Sequence, residues 1–225
     1  MNENGTFNLN EARPAFPWLV VAHTESKNNT KLWKVDRPVP LNYSIPMDWH
    51  HMMPWNAIRD SWSALAISGR WDVLKIWLGL LAANDPETRL GEMRGGNLPA
   101  NERDDLSAKL CWAKWNLVEG PNNTNRTDDP GGEGFDKFTT LKFSNNVRAR
   151  CQTVHSIYEM VRNWAVNKND VSDQQAKSLV NFFTTLRSYK NSPIAMFEPT
   201  AWTIVQAGKY DNFGNASRHP TWKKA

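Results

Sequence analysis

Apolar residues recur at spacings of three and four along much of the chain, beginning just after Pro54. Trp55, Ile58, Trp62, Leu65 and Ala66 share one side of a helix, and Gly69 is placed to close it. A second stripe, Trp71, Leu74, Leu78 and Leu81, predicts a helix that ends near Asn84-Asp85-Pro86, where proline blocks continuation. Leu106 and Leu110 predict a helix over Asp104–Trp115. Val147, Cys151, Val154, Tyr158 and Val161 predict another over Asn145–Asn167, and Ser172-Asp173-Gln174-Gln175 opens a last one, Ser172–Tyr189, with a capping pattern. Before Pro54 the pattern is different. Trp18–His23 and Lys31–Val35 are strand candidates, and Pro38, Pro40 and Pro46 keep helices out of the approach to Asp48. Residues 84–101 read as a connector, Glu119–Asp136 as a long turn-rich loop and Gly214–Ala225 as a polar, basic tail. With no internal repeat and no linker, residues 1–225 read as a single α+β, mainly helical domain.

Composition narrows the class without naming an activity. The 225 residues suffice for a hydrophobic core without staples, and 40% hydrophobic with 22% charged residues excludes a disordered or fibrous chain. Tryptophan is the oddity, at 12 residues against 4 tyrosines. Lys and Arg exceed Asp and Glu by 27 to 23, a net +4 that permits a polyanionic partner without demanding one. Cys111 and Cys151 form no CxxC pattern, so the expectation is a reducing compartment with neither disulfides nor a thiolate zinc site. The start carries no secretory signal pattern, and Ile76–Ala83 is too short an apolar run to span a bilayer, so no membrane insertion is expected.

Two separated motifs carry candidate chemistry. The first is Asp48-Trp49-His50-His51-Met52-Met53-Pro54; an imidazole can hold a divalent metal, or take a proton from water near neutral pH. The second is Trp115-Asn116-Leu117 running to Asn125-Arg126. Taken singly, paired histidines are commonly incidental and an Asn-rich loop is commonly a turn.

Together the motifs resemble the HNH, or His-Me finger, nucleases, in which a β-hairpin and a helix clasp one divalent metal. His50-His51-Met52-Met53-Pro54 matches the His-His-x-x-Pro strand of that family, and Asn116-Leu117 is followed nine residues later by Asn125-Arg126. The resemblance implies a ββα-metal core with its halves at about 44–56 and 112–128, a helical insertion at about 57–111 and C-terminal helices at about 144–207. One departure stands out, because Asn116 comes 65 residues after His51 where compact relatives have a short loop. A folded insert is tolerable there, since closure cost grows slowly with length.

By the same resemblance His51 is the general base, Asn116 orients its imidazole, His50 and Asn125 bind the metal, and Arg126 meets a phosphate. The ion is expected to be Mg²⁺, with Mn²⁺, Ni²⁺ or Zn²⁺ as alternatives. Asp128 or Asp129 is able to complete the metal shell, although Asp-Asp-Pro-Gly also reads as a turn; His23 and His155 read as structural. The implied activity is a metal-dependent endonuclease acting on DNA rather than RNA. Its implied setting is a bacterial toxin, a type VI secretion or related effector, delivered without a signal peptide into a target cell's cytoplasm and matched by an immunity protein. Arg148, Arg150 and Arg162 lie on or near one predicted helix, with Lys137, Lys142, Lys190 and Arg187 around it in sequence, and a solvated face explains these charges equally well. Two other classes stay open: a toxin enzyme using the same histidines on RNA, a nucleotide or a glycan, and a non-catalytic Trp-rich interaction module.

Overall fold

A computed structural model describes residues 30–33, 43–81, 86–95, 99–131, 134–137, 144–162, 171–189, 192, 194–195, 202–206, 209–210, 216–218 and 221–224. It is an α+β structure that combines helices with small antiparallel sheets. In chain order the elements are β1 (Thr30–Trp33), β2 (Tyr43–His51), α1 (Trp55–Ile67), α2 (Trp71–Leu80), α3 (Pro86–Arg94) and α4 (Ala100–Cys111). There follow a 3-10 turn (Lys114–Asn116), β3 (Leu117–Pro121), a second 3-10 turn (Asn123–Asn125), α5 (Asn145–Val161) and α6 (Asp173–Arg187). The chain closes with β4 (Trp202–Gln206), β5 (Lys209–Tyr210), β6 (Ala216–Arg218) and β7 (Thr221–Lys224).

The predicted helical stripes are buried for the most part, with Trp71, Leu81, Val147 and Tyr158 only partly so. Trp55, Ile58, Trp62 and Leu65 of α1 and Leu74, Trp77 and Leu78 of α2 lie in one core with Leu179, Phe183 and Leu186 of α6. The Trp77 ring stacks on Phe183 at 4.8 Å and meets Trp62 at 5.6 Å, so tryptophans at helical spacing serve the core. Gly69 takes a left-handed φ of 67° beyond α1. The capping box at Ser172 and Gln175 is present in full.

Four expectations are corrected. The connector at 84–101 contains α3: Pro86 sits in the first turn, where its missing N–H costs nothing, rather than acting as a stop. Helix α4 starts at Ala100 and ends at Cys111, four residues earlier at each end than the leucines indicated. The loop expected from Glu119 begins as strand β3. The tail holds strand β7, paired antiparallel with β4, so the expected helical region 144–207 also ends in a strand. The strand candidate at Trp18–His23, and with it His23, lies outside the described residues. Among the described residues no helix is long and apolar enough to cross a membrane.

The element that positions the candidate site is the sheet β1-β2-β3. Strand β2 pairs antiparallel with β3 in the register Asp48 with Gly120, Trp49 with Glu119, His50 with Val118 and His51 with Leu117. Helices α1 to α4 are therefore an insertion between two strands that lie side by side.

Candidate functional site

Side chains alternate faces along a strand, and directly paired residues of neighbouring strands share a face. The register thus puts Asp48, His50, Val118 and Gly120 on one side of the sheet, and Trp49, His51, Leu117 and Glu119 on the other. The adjacent histidines look in opposite directions.

His50 faces the C-terminal ribbon and is buried. Its Nε2 donates to the Pro121 carbonyl at 2.7 Å, which leaves Nδ1 to accept from Arg126 Nη1 at 2.9 Å. Arg126, its side chain wholly enclosed, reaches Asp136 through both terminal nitrogens, at 2.7 and 3.1 Å. Lys224 of β7 donates its ammonium to the same carboxylate and its backbone N–H to Asp128 at 2.8 Å. The Trp202 ring lies under the guanidinium, 5.1 Å from its centroid. A side chain at Gly120 has no room, because an added Cβ falls 2.7 Å from Trp202 and 3.1 Å from His50. Thr127 N–H bonds the Trp222 carbonyl at 2.9 Å, fastening this loop to β7.

These contacts fix the charge states. Burial, reinforced by the Arg126 charge, pushes the His50 pKa down to about 4 against the opposing pull of Asp136, the Pro121 bond and Asp129, so the ring is neutral at pH 7. Burial alone raises the pKa of the Asp136 carboxyl, but the Arg126 hydrogen bonds and charge, with those of Lys224, outweigh it and hold the group ionised below its usual range. Burial likewise works against the Arg126 charge, and Asp136 reverses the effect, so its pKa rises.

His51 has a different environment. It is partly exposed at the end of β2, with Cys111 Sγ 3.6 Å from Nε2 and the Trp112 ring at 4.4 Å, tilted by 59°. The turn after it is tied down on two sides. Fully buried Asn116 accepts from Met53 N–H and donates to Met53 O, both at 2.8 Å, while its own carbonyl accepts from Met52 N–H at 2.9 Å. From the other side Asp136 N–H bonds the Met52 carbonyl at 2.8 Å.

The structure therefore brings His51 and Asn116 together across the helical insertion. Asn116 acts on the backbone that follows His51, not on the imidazole, which corrects the contact expected of it. Arg126 is corrected as well: a guanidinium with an enclosed side chain, spent on Asp136 and His50, is not open to a phosphate. Asn125 stands on the 3-10 turn one residue before Arg126, where an α-helix was implied; its N–H bonds Asn122. The His155 ring packs on Phe135 at 4.8 Å and lies 3.5 Å from Glu159. Arg150 is buried within α5, leaving Arg148 and Arg162 as the exposed cations of that helix, and Arg162 pairs with Glu159 at 3.1 Å. Lys142 and Lys190 lie outside the described residues.

Sequence reasoning missed Asp136, Lys224, Cys111, Trp112 and Trp202. None carries a local pattern; each reaches the histidines through tertiary packing. One signal was available for Asp136, an acidic residue in the same long loop as Arg126.

The residues beside His50 do not fit a divalent ion as arranged. Asp129 Oδ2 and Asp136 Oδ2 each lie 4.0 Å from His50 Nδ1, and Asp129 Oδ2 has no hydrogen-bond partner among the described residues, which favours a cation. The Arg126 guanidinium already stands at Nδ1, however, and the other ring nitrogen serves Pro121. Among the described residues no group of three His, Cys, Asp or Glu side chains is set to hold a metal. As arranged, His50 links β2, the Arg126 loop and β3. Compared with known proteins, the chain matches no family model, no curated protein and no solved structure.

Proposed function

We propose that the chain hydrolyses phosphodiester bonds of nucleic acid, DNA before RNA, with His51 as the base that activates water. The observation that carries this reading is the strand pairing. His51 and Leu117 are direct partners, and Asn116 clamps the turn after His51, although the two halves are 65 residues apart in the chain. The pairing of β2 with β3 supports the two-strand half of a ββα core with an inserted helical unit, although the element after β3 is a 3-10 turn, not an α-helix. His51 is also partly exposed, unlike its buried neighbour His50, and an imidazole nitrogen is able to take a proton from water.

In this reading the water oxygen bonds to phosphorus, its proton passes to His51, and the bond from phosphorus to the leaving oxygen breaks. Among the described residues no donor set is assembled for the divalent ion implied by the resemblance, so no step is assigned to it. The setting as a delivered toxin with an immunity protein rests on the resemblance alone.

The test is nicking of supercoiled plasmid by the full chain with Mg²⁺, Mn²⁺, Ni²⁺ or Zn²⁺ supplied in turn, with and without chelator. Cleavage by the wild type, lost in His51→Ala, is the expected result. A folded wild type that cleaves neither DNA nor RNA with any of these ions overturns the proposal.

A further inference from the structure

We propose that Cys111 is a positioning residue for His51, its thiol donating to Nε2 so that the ring proton sits on Nδ1 and the basic lone pair on Nε2. The inference deepens the nuclease reading and rests on it for its catalytic meaning. Cys111 is fully buried at the end of α4, with its sulfur 3.6 Å from Nε2. An imidazole nitrogen is a better acceptor than a thiol sulfur, so the proton of this contact belongs on sulfur.

The neighbouring residue completes the hold. Trp112 flanks the same ring at 4.4 Å, which blocks its rotation. Asn116, five residues after Cys111, fixes the backbone beyond His51. One short segment leading into β3 thus sets the ring's tautomer, its tilt and its chain. A thiol suits the task because it is a weak donor: it keeps the lone pair on Nε2 without binding it as tightly as an ammonium would.

The experiment uses the full chain with Cys111→Ala and Cys111→Ser. Nitrogen-15 shifts of the His51 ring at one neutral pH, assigned by their loss in His51→Ala, report which nitrogen carries the proton. The wild type is expected to show it on Nδ1, Cys111→Ser to keep it there, and Cys111→Ala to give a mixture of tautomers. In plasmid nicking, Cys111→Ala is expected to lower kcat roughly tenfold with KM unchanged, and Cys111→Ser to restore most of it. A wild-type ring with its proton on Nε2 overturns the proposal, and that spectrum needs no variant to fold. Wild-type nitrogen shifts in a folded Cys111→Ala overturn it as well. A wild type that never nicks nucleic acid removes the nuclease reading instead, and the nitrogen shifts still decide the contact.

Discussion

His50 and His51 are neighbours in the chain and opposites in the structure. His50 is enclosed, neutral and bonded at both ring nitrogens; His51 is partly exposed, touched by a thiol and an indole. Strand alternation produces the difference: one face of β2 and β3 lies under the C-terminal ribbon, the other against the end of α4. Two identical side chains thereby acquire two kinds of work. The His50 side ties distant parts of the chain together, and the His51 side keeps an imidazole within reach of solvent.

Breaking the His50 side carries the largest expected effect. Arg126→Ala leaves a buried carboxylate and removes the donor to His50, and is expected to cost about 3–5 kcal/mol in urea unfolding. The pH dependence comes next. The folded pKa of His50, about 4, lies below the unfolded 6.5, so between these values the unfolded chain binds more protons. The stabilisation is present in full above pH 6.5 and is lost as pH falls toward 4, by about 3 kcal/mol at roughly 1.4 kcal/mol per pH unit. His50→Gln is expected to flatten the stability profile in that window, while Asp136, ionised below its usual range, accounts for a further loss in stronger acid.

Asn116→Ala strands the Met53 N–H and carbonyl and is expected to cost about 2 kcal/mol, with activity falling further than stability because the turn after His51 loosens. Gly120→Ala pushes a methyl group against Trp202 and His50 and is expected to cost about 1–3 kcal/mol; exchange of amide hydrogens in β7 rising ahead of those in α1 identifies the ribbon as the part released. A Gly120→Ala protein as stable as the wild type would contradict the close packing of the ribbon on β3.

The helices were legible in the sequence because each buries a stripe at helical spacing, and the Ser172 box and Gly69 mark termini by local chemistry. Helix α3 was not, since Pro86 acts at a helix start as readily as at a stop and Gly91 interrupts the pattern. The pairing of β2 with β3 was legible through two motifs and not through periodicity. The division of labour between the histidines was hidden: it depends on Asp136, Lys224 and Trp202, which meet His50 only after β7 folds back on the Arg126 loop. The phosphate role expected of Arg126 failed for the same reason, because its carboxylate partner lies on another part of that loop.

The most direct measurement pairs plasmid nicking with thermal unfolding on one sample of His51→Ala. The account predicts that cleavage disappears while stability stays within about 0.5 kcal/mol of the wild type, as for a partly exposed residue outside the buried network. Cleavage at the wild-type rate by folded His51→Ala protein would contradict it.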